Sequence, residues 1–146
     1  MHIEVGEQIN RPAHDVWDYI ATNHVQNHPR WDPAIVKLEQ KDSGPLGEGS
    51  RLEMVRKDSG PAMTMDVRMV EWDVDRKMAF EADAKQLNMT ANMALEAVNP
   101  TTTTLNVTVD VEGKGVLKVM MPVMGGRMKK QIAAGLVRIK QALESK

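Results

Sequence analysis

The sequence predicts an α+β fold in which a curved antiparallel sheet wraps a long C-terminal helix. Three observations carry this prediction. Seven runs alternate apolar and polar residues with a period of two, the mark of strands with one wet and one dry face. Short pieces rich in Gly, Pro, Asp and Asn separate the last six runs, so neighbouring strands turn directly back on one another. A stripe at steps of four and three, Met124, Met128, Ile132, Leu136, Ile139 and Leu143, closes the chain and supplies a helix to cover the dry face. A length of 146 residues suits a single domain spanning 1–146, with one core.

The first strand is His2 to Ile9, with Ile3, Val5, Glu7 and Ile9 on one face. A short helix follows, with Asn10 as candidate cap and Pro12 in its first turn; Val16, Trp17 and Ile20 form its apolar side, and it ends near Thr22. A second helical turn is expected over Val25 to His28, stopped by Pro29 and Pro33 around Trp31. From residue 34 the period becomes two. Strands are predicted at Ala34–Lys41, Ser50–Lys57, Ala62–Trp72, Lys77–Ala84, Leu87–Val98 and Thr102–Glu112. Pro122 is expected to begin the long helix, over residues 122–144, after an irregular segment from Lys114 to Met121. The order is β-α-α-β-β-β-β-β-β-α. A strongly curved sheet around one helix leaves space at one end, which two short helices close only in part, and an apolar gap of that kind is a small-molecule pocket.

Composition narrows the function. The chain has no cysteine, which excludes disulfides, thiolate zinc sites and thiol catalysis. Its longest apolar stretch, Val119 to Met124, is far shorter than the ~20 residues of a spanning helix. The N-terminus is charged and alternating, unlike a signal peptide, so the expected location is cytoplasmic. Net charge is −1 but uneven: residues 113–146 carry eight Lys or Arg against Glu144 alone, and the remainder is acidic. Twelve Met accompany one Phe and one Tyr, so this core prefers flexible thioethers to flat rings.

Several local patterns are similar to those of one superfamily. Pro12-x-x-x-Val16-Trp17 follows the first strand, and Pro29-x-Trp31-x-Pro33 ends the second helix. Gly47-Glu-Gly49 enters the third strand, Val70-Glu-Trp-Asp ends the fourth, and Leu136-x-x-Ile139-Lys140-x-x-Leu143-Glu144 closes the chain. In this order the whole sequence resembles the START-like, or SRPBCC, superfamily, and within it the polyketide cyclase/dehydrase and lipid-transport group. The resemblance implies a helix-grip fold with an internal cavity for lipids, polyketides, sterols or similar apolar ligands. It implies no particular activity, since the superfamily holds carriers, cyclases and protein-binding members, and no family catalytic motif maps onto this chain.

The expected cavity wall combines the inward strand faces with the inner side of the last helix: Leu52, Met54, Met65, Val67, Met78, Phe80, Met89, Met93, Met124 and Met128. Met there reads either as an adaptable wall or as ordinary core filling; alternation scatters the sulfurs too widely for a copper site. Glu7 shares the face of Val5 and Ile9, and Arg56 is in phase with Leu52 and Met54, so the two are candidate partners inside the cavity for ligand orientation or acid–base work. His24 and His28 stand four apart near Asp32, as metal ligands on one helix face would, but Asn23, Gln26, Asn27 and Arg30 around them predict two exposed histidines. No serine sits in a nucleophile elbow, and the glycine pairs lack phosphate-loop spacing.

The basic C-terminal segment offers a seat for a peripheral membrane or protein contact, against the simpler reading of a solvated face; without interleaved aromatics it does not suit nucleic acid. The favoured reading is therefore binding or carriage of a hydrophobic small molecule, with no cofactor. The alternatives are a cyclase- or dehydratase-type enzyme and a protein-interaction module whose cavity has collapsed.

Overall fold

A computed structural model describes residues 1–146. Seven strands form one sheet: β1 (His2–Ile9), β2 (Ile35–Gln40), β3 (Arg51–Arg56), β4 (Met63–Asp73), β5 (Lys77–Asp83), β6 (Leu87–Asn99) and β7 (Thr102–Gly113). Their spatial order is β1-β7-β6-β5-β4-β3-β2, and every neighbouring pair is antiparallel. Strands β2 to β7 are thus a meander, as the short turns predict, while β1 joins at the β7 edge. That placement puts β1 and β2 at opposite edges. The chain between them crosses as α1 (Ala13–Trp17), a π-helical turn over Asp18–Thr22, and α2 (His24–Trp31). The last helix, α3, spans Val116–Glu144. The helix-grip order expected from the sequence is the order observed. None of the helices is long and apolar enough to cross a membrane.

The ladders slip by one residue between Ile35 and Lys37, Met69 and Glu71, and Ala97 and Asn99. Such bulges bend a strand and sharpen its twist, and here they help the sheet curl toward α3. The inward face is largely apolar: Met54, Met65, Met69, Met78 and Leu105 are fully buried. The two halves of α3 differ. Leu136, Ile139 and Leu143 are buried, whereas Met124, Met128 and Ile132 are only half-buried. Gly135 lets the second half approach α2 closely: a Cβ there would lie 3.0 Å from the Trp31 carbonyl oxygen. Trp17, on the apolar side of α1, meets Trp72 edge-on at 5.1 Å and fixes α1 to the sheet.

Three local expectations are corrected. Helix α3 begins at Val116, not at Pro122, because Gly113 and Gly115 make a sharp strand-to-helix turn. A Cβ on Gly113 would stand 2.8 Å from the Leu117 backbone, and Gly115 has φ +58°. Pro122 lies inside the helix and forfeits one backbone hydrogen bond there. Helix α2 likewise runs through Pro29 to Trp31. Asn10 is not the cap of α1; Pro12 occupies that position, and the Asn10 amide donates to the Glu144 carboxylate at 2.9 Å, tying the chain's two ends together.

Candidate functional site

A cavity of about 600 Å³ lies between the sheet and α3. Its floor is the dry face of four strands: Met63 and Met65 from β4, Phe80 from β5, Leu87, Met89, Ala91 and Met93 from β6, and Val107, Val109 and Val111 from β7. Its roof is Leu117, Met120, Met124, Met128 and Ile132 from α3, with Leu136 and Ile139 closing the far end. The half-burial of Met124, Met128 and Ile132 follows directly: these side chains touch the edge of the core and border the hollow. Seven of the twelve methionines share this floor and roof, so the wall is soft and can adjust to a guest's shape. The mouth is ringed by exposed residues of the β3–β4 turn (Asp58, Ser59, Pro61), Gln86 between β5 and β6, and Arg127 and Gln131 of α3. A second hollow of about 520 Å³ beside the N-terminus is a surface groove with several charged groups on its wall and lacks this apolar enclosure.

One end of the cavity is polar. Arg56, at the end of β3, is 15 % exposed and sits between two carboxylates. Its Nη1 donates to Asp32 Oδ2 at 3.1 Å, and Nε and Nη2 donate to the two Asp58 oxygens at 2.9 and 3.0 Å. The fork-to-fork pairing with Asp58 is the strong form of this interaction. Burial weighs against the Arg56 charge, but the bonds to Asp58 and Asp32 outweigh it and hold the guanidinium above its usual range. Its hydrogen bonds in turn keep Asp58 below the ordinary carboxylate range, against some burial.

Beside this triad stands a buried pair of histidines. His24 is 1 % and His28 7 % exposed, which corrects the expectation of two exposed rings. The reason is the stripe formed by His24, His28 and Trp31 at steps of four and three, which turns inward onto Phe80. His28 stacks on Trp31 at 4.8 Å and lies 4.5 Å from His24. The polar neighbours that suggested a wet loop divide: Asn23, Gln26 and Arg30 are not buried, while Asn27 is buried and donates to the Tyr19 carbonyl at 3.0 Å. His24 Nδ1 is 2.8 Å from the Ile20 carbonyl, so that nitrogen carries the proton and Nε2 is a free lone pair. His24 Nε2 and His28 Nδ1 are buried without a hydrogen-bond partner. Burial pushes the His24 imidazole down to about 4, and burial, His24 and Arg56 together push His28 well below the usual value. Both rings are neutral at pH 7. His28 belongs to the cavity wall, with Nε2 3.9 Å from Asp32 Oδ2.

The structure gathers some of the predicted site residues and disperses others. Arg56, Met65, Phe80, Met89, Met93, Met124 and Met128 line the cavity. Leu52, Met54, Val67 and Met78 lie on the same inward face but are sealed in the packed core, outside the lining. Glu7 is half-buried opposite Leu105 on β1 and does not meet Arg56. Four strands, β7 to β4, separate β1 from β3, and Arg56 has taken Asp32 and Asp58 instead. Strand phase names a face; it says nothing of how far apart two strands lie on it. Sequence reasoning missed Asp58 and the inward His28. The His24–His28–Trp31 spacing was the available signal for the second.

The sequence matches the family model described as polyketide cyclase/dehydrase and lipid transport over residues 1–144. Among solved structures, the fold is similar to the ZhuI aromatase/cyclase of Streptomyces sp. R1128, with TM-score 0.80 and 18% identity over 99% of this chain and 93% of that one. It is similar to Ara h 8.0201, with TM-score 0.75 and 15% identity over 100% and 99% of the two chains. It also matches a conserved protein from Geobacillus kaustophilus, with TM-score 0.78 and 14% identity over 99% and 96%. No curated protein matches this sequence significantly. With an apolar cavity under the last helix and a family match along almost its full length, the chain belongs to the polyketide cyclase/dehydrase and lipid transport family, with the helix-grip fold.

Proposed function

We propose that this protein binds and carries an amphipathic small molecule whose apolar body fills the Met-lined cavity and whose polar group meets the His28–Asp32–Arg56 end. The observation that carries this reading is the cavity itself: about 600 Å³, mostly apolar, with His28, Asp32 and Arg56 gathered at one end. Ligand sites have this size and this division of labour. The roof Met side chains give shape tolerance. The polar end gives orientation, because Arg56 is already held by Asp32 and Asp58 and loses little freedom on meeting a guest. A neutral His28 can accept a hydrogen bond from a hydroxyl on a buried guest without carrying a charge into the cavity.

Native mass spectrometry of freshly purified protein tests the reading by detecting a co-purified apolar molecule. Displacement of a fluorescent apolar probe then measures affinity. A chain that arrives empty and binds no probe of this volume would contradict a ligand-binding role.

One observation favours a second reading, a cyclase-type enzyme. His28 places a neutral imidazole in a cavity wall beside an arginine, and its Nε2, with no hydrogen bond, suits proton transfer on an enolisable carbonyl. The family description and the similarity to an aromatase/cyclase support a polyketide chain as the substrate class. Turnover of such a chain, lost in His28→Phe while probe binding persists, would establish the enzyme; binding without turnover supports the carrier.

A further inference from the structure

The first half of α3 exposes an apolar stripe that the fold does not explain. Val116, Val119 and Val123 are 76 %, 79 % and 85 % exposed, and Met120 beside them is 47 % exposed. Their spacing keeps them on one helix face. Arg127 and Lys130, four and seven residues beyond Val123, continue the same face, and both are exposed. No Asp or Glu occurs between Glu112 and Glu144 to offset them. The adjoining face of the same half-helix, Leu117, Met124 and Met128, roofs the cavity with Met120, and Arg127 stands at its mouth. This half is also the weaker half, since it contains Pro122, Gly125 and Gly126, all poor helix formers.

We propose that Val116–Lys130 is a seat for an anionic lipid surface, which brings the cavity mouth against the bilayer. Exposed valines enter the interface, and the cations behind them meet lipid headgroup charge; an amphipathic helix with a cationic flank binds membranes in this way. Charge complementarity selects this partner over a second copy of the chain, because two such faces would bring Arg127 and Lys130 against their own kind. Passage of a ligand between bilayer and cavity rests on the function proposed above; the seat itself does not.

Co-sedimentation of the full chain with vesicles tests the seat. Binding is expected to vesicles of phosphatidylcholine with an equal amount of phosphatidylserine, but not to phosphatidylcholine alone, and to weaken as salt is raised. Charge reversal at Arg127→Glu or Lys130→Glu should weaken binding at least about fivefold each, the equivalent of ~1 kcal/mol per basic residue at such a surface. Val119→Asp with Val123→Asp should abolish it, while Val36→Asp, at an exposed valine of β2, should not alter it. Equal binding to both vesicles, or full binding by the valine variant, overturns the seat. So does a concentration-dependent dimer that Val119→Asp dissolves, with no vesicle binding, since a second copy would then own the face. The ligand arm is separate. A chain that binds vesicles yet takes up no bilayer-dissolved apolar probe keeps the seat and refutes the carrier, whereas one that binds probe in solution and ignores vesicles refutes the seat alone.

Discussion

Acid should unfold this protein through its buried histidines before its carboxylates titrate. At His24 the Nδ1 proton is committed to the Ile20 carbonyl, and Nε2 is buried with no partner. Protonation would place a charge on an imidazole that is 1 % exposed, and its folded value is accordingly pushed down to about 4. In the unfolded chain the same group titrates near 6.5. The folded value is depressed, so the unfolded state takes up the proton first as pH falls. Stability from this group is complete above 6.5, declines from there toward about 4, and levels off below. Between about pH 7.5 and about pH 5 the loss from His24 alone is roughly 2 kcal/mol by linkage. His28 is depressed in the same direction and adds to the loss, whereas His2 and His14, raised by carboxylates at the exposed surface, act in the opposite sense. Against a typical domain stability of ~5–15 kcal/mol, this is a large share. Urea unfolding at the two pH values checks it, with His24→Phe as the comparison. Phe keeps a ring in the cluster and removes the titration; the lost bond to Ile20 shifts both pH values alike. The variant should lose roughly 2 kcal/mol less than wild type between those pH values. Parallel pH dependence in the two proteins would refute a buried, neutral His24.

Three further outcomes follow from the packing. Met89→Ala and Met65→Ala should change apolar-probe affinity severalfold, and Thr108→Ala on the other face of β7 should not; equal responses from all three would deny a Met-lined cavity. Leu136→Asp or Ile139→Asp puts a carboxylate where wild-type side chains are 2 % and 1 % exposed, and a thermal melt should show a loss on the order of several kcal/mol. Arg56→Met leaves Asp32 and Asp58 facing each other without their cation; urea titration should show a loss of about 2 kcal/mol, between the limits for exposed and buried pairs, while Glu7→Gln should leave both stability and probe binding near wild type.

Much of this fold can be read from alternation. The period of two marks all seven strands to within a residue or two, because one dry face demands apolar side chains at every second position. The stripe from Met124 to Leu143 identifies the helix that covers that face. The start of α3 is less legible. Proline normally opens a helix, and only the close approach of Gly113 to Leu117 shows that the turn begins earlier.

The site divides along the same line. The sequence by itself determined that Met65, Phe80, Met89 and Met93 face inward and that Met124 and Met128 face them, since periodicity dictates direction. Tertiary structure alone decided which inward residues border empty space and which are packed shut: Met89 and Met93 line the cavity, while Met54 and Met78, identical in phase, are sealed. It also decided partners. Glu7 and Arg56 share a face, but β1 pairs with β7, so the width of the sheet separates them and Arg56 is neutralised by Asp58 from the next turn and Asp32 from α2. Lateral position in a sheet, and the fit of one short helix over its end, depend on contacts between residues far apart in the chain. No local period encodes those contacts, and for that reason His28 could be read as exposed in the sequence and is found in the wall of the cavity.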